Sequence, residues 1–93
     1  MFVGLLHLEL RLAESHSLKD KRQVIQSLIE TTRRRFNASV AEVDHLDAWQ
    51  LAGIGVACVA NERRFLDQVL AKVETYVESE PRVEIIRSDI EIL

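Results

Sequence analysis

Cysteine occurs once in this chain, at position 58, so no internal disulfide can form. The paired C-x-x-C spacing of a metal or redox site is absent as well. A lone thiol suits a reducing compartment, and the expected localisation is cytoplasmic. Proline also occurs once, at position 81, and glycine three times, which leaves little material for linkers or low-complexity stretches. No apolar run is long enough to span a membrane: Met1 to Leu12 is interrupted by His7, Glu9 and Arg11 and lacks a basic leader. No phosphate loop, H-E-x-x-H pair or Ser/His/Asp arrangement appears. The expectation is therefore a protein that is not an enzyme and takes no cofactor and no metal. Positive charge is not in excess either. The net charge of −3 argues against a nucleic-acid-coating protein but leaves room for a local basic patch.

Ninety-three residues suffice for one domain, spanning 1–93, with a single core. Its organising stretch is Ser17 to Phe36. Ser17-Leu18-Lys19-Asp20 has the form of a capping box with Asp in place of Glu or Gln. Leu18, Ile25, Leu28, Ile29, Thr32 and Phe36 then recur on one helical face. Arg33, Arg34 and Arg35 suit the negative end of the helix dipole, and Asn37 suits a left-handed stop.

Around this helix the chain reads as strands and one further helix. Phe2 to Leu12 alternates, with Phe2, Leu6, Leu8, Leu10 and Leu12 on one side and Val3, Leu5, His7, Glu9 and Arg11 on the other. Ser39 to Val43 is a short second strand, and Asp44 to Asp47 reads as a turn. Trp49 to Ala60 is a third strand whose faces the pattern does not assign. Its Gly53 and Gly55 suggest a bulge, or close approach by a helix or a ligand. Asn61 is placed to cap a second helix over Glu62 to Ser79, with Phe65, Leu66, Val69, Leu70, Val73 and Val77 as its apolar stripe. The Glu80-Pro81 step ends that helix, and Val83 to Leu93 is the last strand.

The order β-α-β-β-α-β, with right-handed crossovers, predicts an α+β ferredoxin-like two-layer sandwich. Its antiparallel sheet would run in the order 4-1-3-2. Fold alone licenses no function. RNA modules of this shape stack bases on aromatic residues of the first and third strands. Here the third strand reads Ala52-Gly53-Ile54-Gly55-Val56-Ala57, so any RNA contact falls to a helix or loop.

Two surfaces are candidates. Lys19, Arg22 and Arg33 share one side of the first helix, with Arg34 at its edge. Together with Lys21 and Arg35 they form a basic region that is either a solvated face or a contact for RNA or a ribosomal particle. The uncovered side of the first strand presents Val3, Leu5 and His7, an apolar patch suited to a homodimer. His45, between Asp44 and Asp47, reads as part of a turn rather than a metal site. Cys58 reads as buried and inert, and Trp49 as either a core residue or an exposed anchor.

Three stretches together resemble the small bacterial YlxP-like family of unknown function. They are Ser17-Leu18-Lys19-Asp20-Lys21-Arg22, the run Arg35-Phe36-Asn37-Ala38-Ser39-Val40-Ala41-Glu42-Val43-Asp44, and Trp49-Gln50, joined by Val59-Ala60-Asn61. Ala38 and Ala60 depart from the larger residue and the serine that the pattern favours. The resemblance implies a ferredoxin-like fold and a cytoplasmic bacterial protein. It also implies genes that lie beside those of translation initiation and ribosome maturation factors. It brings no catalytic or binding residues with it.

Overall fold

A computed structural model describes residues 1–93. The elements are β1 (Phe2–Arg11), α1 (Leu18–Phe36), β2 (Ser39–Asp44), β3 (Leu51–Ala60), α2 (Arg63–Glu78) and β4 (Glu84–Ile92). They form one antiparallel sheet in the order β2-β3-β1-β4, which is the expected ferredoxin-like order read from the other edge.

α1 starts and stops as its residues dictate. The Ser17 hydroxyl accepts from the Asp20 N–H at 3.0 Å, and Asp20 reaches back to accept from the His16 N–H at 3.0 Å. Asn37 ends the helix at φ 45°, a left-handed conformation its short polar side chain tolerates. α2 departs from expectation at its start. Glu62, not Asn61, is the N-cap residue, and no side chain caps the first turn. The helix begins one residue later than the capping pattern suggests, which leaves Asn61 outside the cap position.

The sheet's period-two pattern decides its sides. Leu6, Leu8 and Leu10 of β1 face the helices, and their partners on β3 are Val56, Ile54 and Ala52. Ile25 and Leu28 of α1 and Leu70, Val73 and Val77 of α2 close the core over them. Leu12, Val40 and Val83 join that core, while Ile29 and Val69, expected inside it, pack half-buried at its margin. At Gly4, α2 lies close on β1: a Cβ there would meet Leu70 Cδ1 at 3.0 Å. Cys58, expected buried, is half-buried on the same side, opposite Gly4. Burial pushes its thiol pKa up, which keeps it protonated and poorly nucleophilic.

β3 begins at Leu51 rather than at Trp49. Trp49 instead lies in the β2–β3 connection, 56% exposed, so the core reading of this residue gives way to the exposed one. No helix is long and apolar enough to cross a membrane.

Candidate functional site

The side of the sheet away from the helices is uncovered. β1 presents Val3, Leu5, His7, Glu9 and Arg11 there, as the alternation requires. The register places Val59, Ala57, Gly55, Gly53 and Leu51 of β3 beside them, in that order. On the outer strands, Ser39 and Ala41 of β2 and Glu91, Asp89 and Arg87 of β4 complete the surface.

β3 is the low strand of this surface because its outward residues are small. A groove of about 700 Å³ results, lined among others by Leu5, His7, Ala41, Val43, Gly55 and Ala57. The glycines make room for β2 rather than for a helix, at the bulge that the sequence suggested. The β2–β3 register shifts between Glu42 and Asp44, a bulge with Val43 as the extra residue. A Cβ on Gly53 would meet the Asp44 Cβ at 2.5 Å, and one on Gly55 would meet Val43 Cγ1 at 3.1 Å.

With β3 bare at this level, side chains of β1 reach across it. His7 Nε2 lies 2.7 Å from Asp44 Oδ2, and His45 Nε2 lies 2.8 Å from Glu9 Oε1. Each imidazole is thus matched with a carboxylate from the other segment, and the two pairs tie β1 to the end of β2 over the glycines. No group of three or more potential ligands is arranged to hold a metal ion. Sequence reasoning placed His7 and Glu9 on this face but missed Asp44 and His45 as their companions. The two glycines were the signal, and that the bulge brings Asp44 and His45 over them is invisible without the register.

The basic residues of α1 do not act as one surface. Lys21 must be corrected outright: its side chain is fully buried and cannot meet a phosphate. Its Nζ donates to the carbonyls of His45 at 2.7 Å, Leu46 at 3.3 Å and Leu51 at 3.2 Å. Glu42 Oε2 lies 3.0 Å away as its counter-ion, yet no donor is aligned on that oxygen. We read the contact as an attraction of charges rather than a directed hydrogen bond. Arg33 Nη2 donates to the Val40 carbonyl at 2.6 Å, and the Arg35 guanidinium sits 4.9 Å from the Tyr76 ring centroid. Lys19, Arg22 and Arg34 are exposed and enter none of the ion pairs of the fold. Glu30, also exposed, falls about 20° from Lys19 around the helix and breaks the positive side in two.

Against known proteins, residues 3–90 match the family described as "Protein of unknown function (DUF503)". The chain is also similar to "Uncharacterized protein YlxP" of Bacillus subtilis (strain 168). The two are 29% identical over 82 residues, covering 88% of this chain and 89% of that protein.

Proposed function

The chain belongs to the DUF503 family of unknown function, and from that premise, which supplies no activity, we propose that it is a protein-interaction module. It self-associates through the uncovered face of its sheet. The observation that carries this reading is the apolar groove at the centre of that face, where a sheet merely in contact with water would alternate polar side chains.

Size supports a second copy as the occupant. A ten-residue strand at about 3.4 Å per residue, in a sheet of four strands about 4.8 Å apart, offers roughly 34 by 19 Å. Two such faces bury about 1,300 Å² together, within the range of about 1,200–2,000 Å² that specific interfaces occupy. A two-fold pair sets each groove on its own copy. Leu5, half-buried at the groove, is the residue to test. Leu5→Glu should halve the mass found by sedimentation equilibrium while the far-ultraviolet circular dichroism stays unchanged. An unmodified chain that is monomeric at high micromolar concentration rejects the reading.

A second reading rests on Lys19, Arg22 and Arg34, exposed cations of α1 that enter no ion pair and, unlike Arg33 and Arg35, hold no carbonyl or ring. It makes the protein an accessory factor that touches RNA or a ribosomal particle from this side. Co-sedimentation with ribosomal subunits should then weaken steeply as salt rises. Substitution of all three residues by glutamine should lower that dependence by roughly one unit of slope for each phosphate that is no longer neutralised.

A further inference from the structure

β4 lies at the end of the strand order, so one of its edges has no partner within the chain. Two of its isoleucines, Ile86 and Ile90, are 38% and 44% exposed. From these features and from the order of its residues we propose that β4 pairs antiparallel with β4 of a second copy. The two-fold axis falls at Ser88, and the two sheets become one sheet of eight strands. This contact lies on an edge of the sheet, goes beyond the face-to-face pairing above and does not depend on it.

The backbone is turned the right way for this. Val3 and Leu93 exchange both of their hydrogen bonds, N–H to carbonyl, at 2.9 and 2.8 Å. Antiparallel strands alternate residues that bond to one neighbour with residues that bond to the other. Glu91, Asp89 and Arg87, opposite Leu5, His7 and Glu9, therefore bond to β1. Ser88, Ile90 and Ile92 turn their N–H and carbonyl groups to the free edge. The bulge of β4, with Ile86 as its extra residue, precedes this stretch, which is regular through Ile92.

The side chains then select one register. An axis at Arg87 would oppose guanidinium to guanidinium, and one at Asp89 carboxylate to carboxylate. An axis at Ile90 would oppose Asp89 to Glu91. Among the axes from Arg87 to Ile90, in the regular stretch, only that at Ser88 leaves no like charges opposed: Arg87 faces Asp89 twice, and Ile86, at the bulge, comes opposite Ile90 twice. Opposite charges and apolar pairs directly across an antiparallel ladder are favourable, and like charges there are not. Within one copy Arg87 Nε already lies 2.9 Å from Asp89 Oδ2 on the same side of the strand. Pairing would extend this contact into a ring of four alternating charges. The edge thus differs from guarded edges, which carry charges that repel their own kind.

The test uses the full chain and two charge reversals at exposed positions. Arg87→Asp alone, or Asp89→Arg alone, sets like charges across the axis and should halve the mass found by sedimentation equilibrium. An equimolar mixture of the two variants restores both opposite-charge pairs in a mixed assembly and should recover the unmodified mass. Amide hydrogen exchange at Ser88 and Ile90 should slow as the concentration of the unmodified protein rises. Face-to-face pairing leaves those amides open. In Leu5→Glu the mixing rescue and the protection should both persist, so failure of the face contact is read separately from failure of the edge contact. Reversals without effect on mass, a mixture that stays dissociated, or exchange at Ser88 and Ile90 that is independent of concentration would each overturn the proposal.

Discussion

Lys21 shows how far a residue's role depends on where its neighbours end up. An ammonium taken out of water must be surrounded by acceptors, and this one has three carbonyls and a carboxylate. It acts as a fixed internal cation that gathers the end of β2, the connection and the start of β3. That connection contains His45 in a left-handed conformation at φ 60°, the conformation in which its imidazole reaches Glu9. Lys21→Met keeps the length of the side chain but strands Glu42 and the three carbonyls. The cost should be about 3–5 kcal/mol, as for other broken buried pairs, read as a lower urea midpoint. Lys19→Met, two residues earlier and exposed, should change stability by about 0.5 kcal/mol or less. Equal effects of the two changes would show that Lys21 is not held as described.

At the level of elements, the β2–β3 pair is the least regular part of the fold and the most informative. Gly53 and Gly55 are not interchangeable. A methyl group on Gly53 runs into Asp44 near its backbone, whereas one on Gly55 meets the end of the Val43 side chain, which can turn away. Gly53→Ala should therefore destabilise by about 1–3 kcal/mol, in the range of overpacked sites, and Gly55→Ala by clearly less. The order of the two unfolding midpoints checks this. Gly53→Ala should also displace Asp44 from His7, visible as a change in the His7 ring resonances. In α1, Leu28 is 5% exposed within the core. Leu28→Ala should cost about 2–5 kcal/mol, as other buried leucine truncations do, measured by the same unfolding curves.

For the whole molecule, charge separates the readings of its function. The uncovered face carries five carboxylates, Glu9, Asp44, Glu84, Asp89 and Glu91, against the guanidiniums of Arg11 and Arg87. The carboxylates outnumber the guanidiniums and imidazoles together, so two such faces repel each other at long range while their apolar centres attract. Added salt screens the repulsion and leaves the apolar contact. The association step that Leu5→Glu abolishes should accordingly strengthen as salt rises, whereas contact with RNA through α1 must weaken. Sedimentation equilibrium at low and high salt distinguishes them, and weakening of the Leu5-dependent step by salt would contradict an apolar contact.

Local patterns in the chain were enough to specify the order of elements, the span of α1 with both of its ends, the antiparallel sheet and the outward set Val3, Leu5 and His7. Each rests on periodicity or capping, which act between residues a few positions apart. The faces of β3 were not legible, because its outward set of small residues and its inward set of aliphatic ones do not alternate in polarity. Nor was the burial of Lys21. Helical spacing places its Cα near the polar side, but the acceptors that hold it lie 21 to 30 residues further along. The pairing of His7 with Asp44 and of His45 with Glu9 spans 36 or 37 positions and depends on one extra residue in β2. Such contacts are set by strand register, and a shift of one residue would turn these side chains to the opposite face.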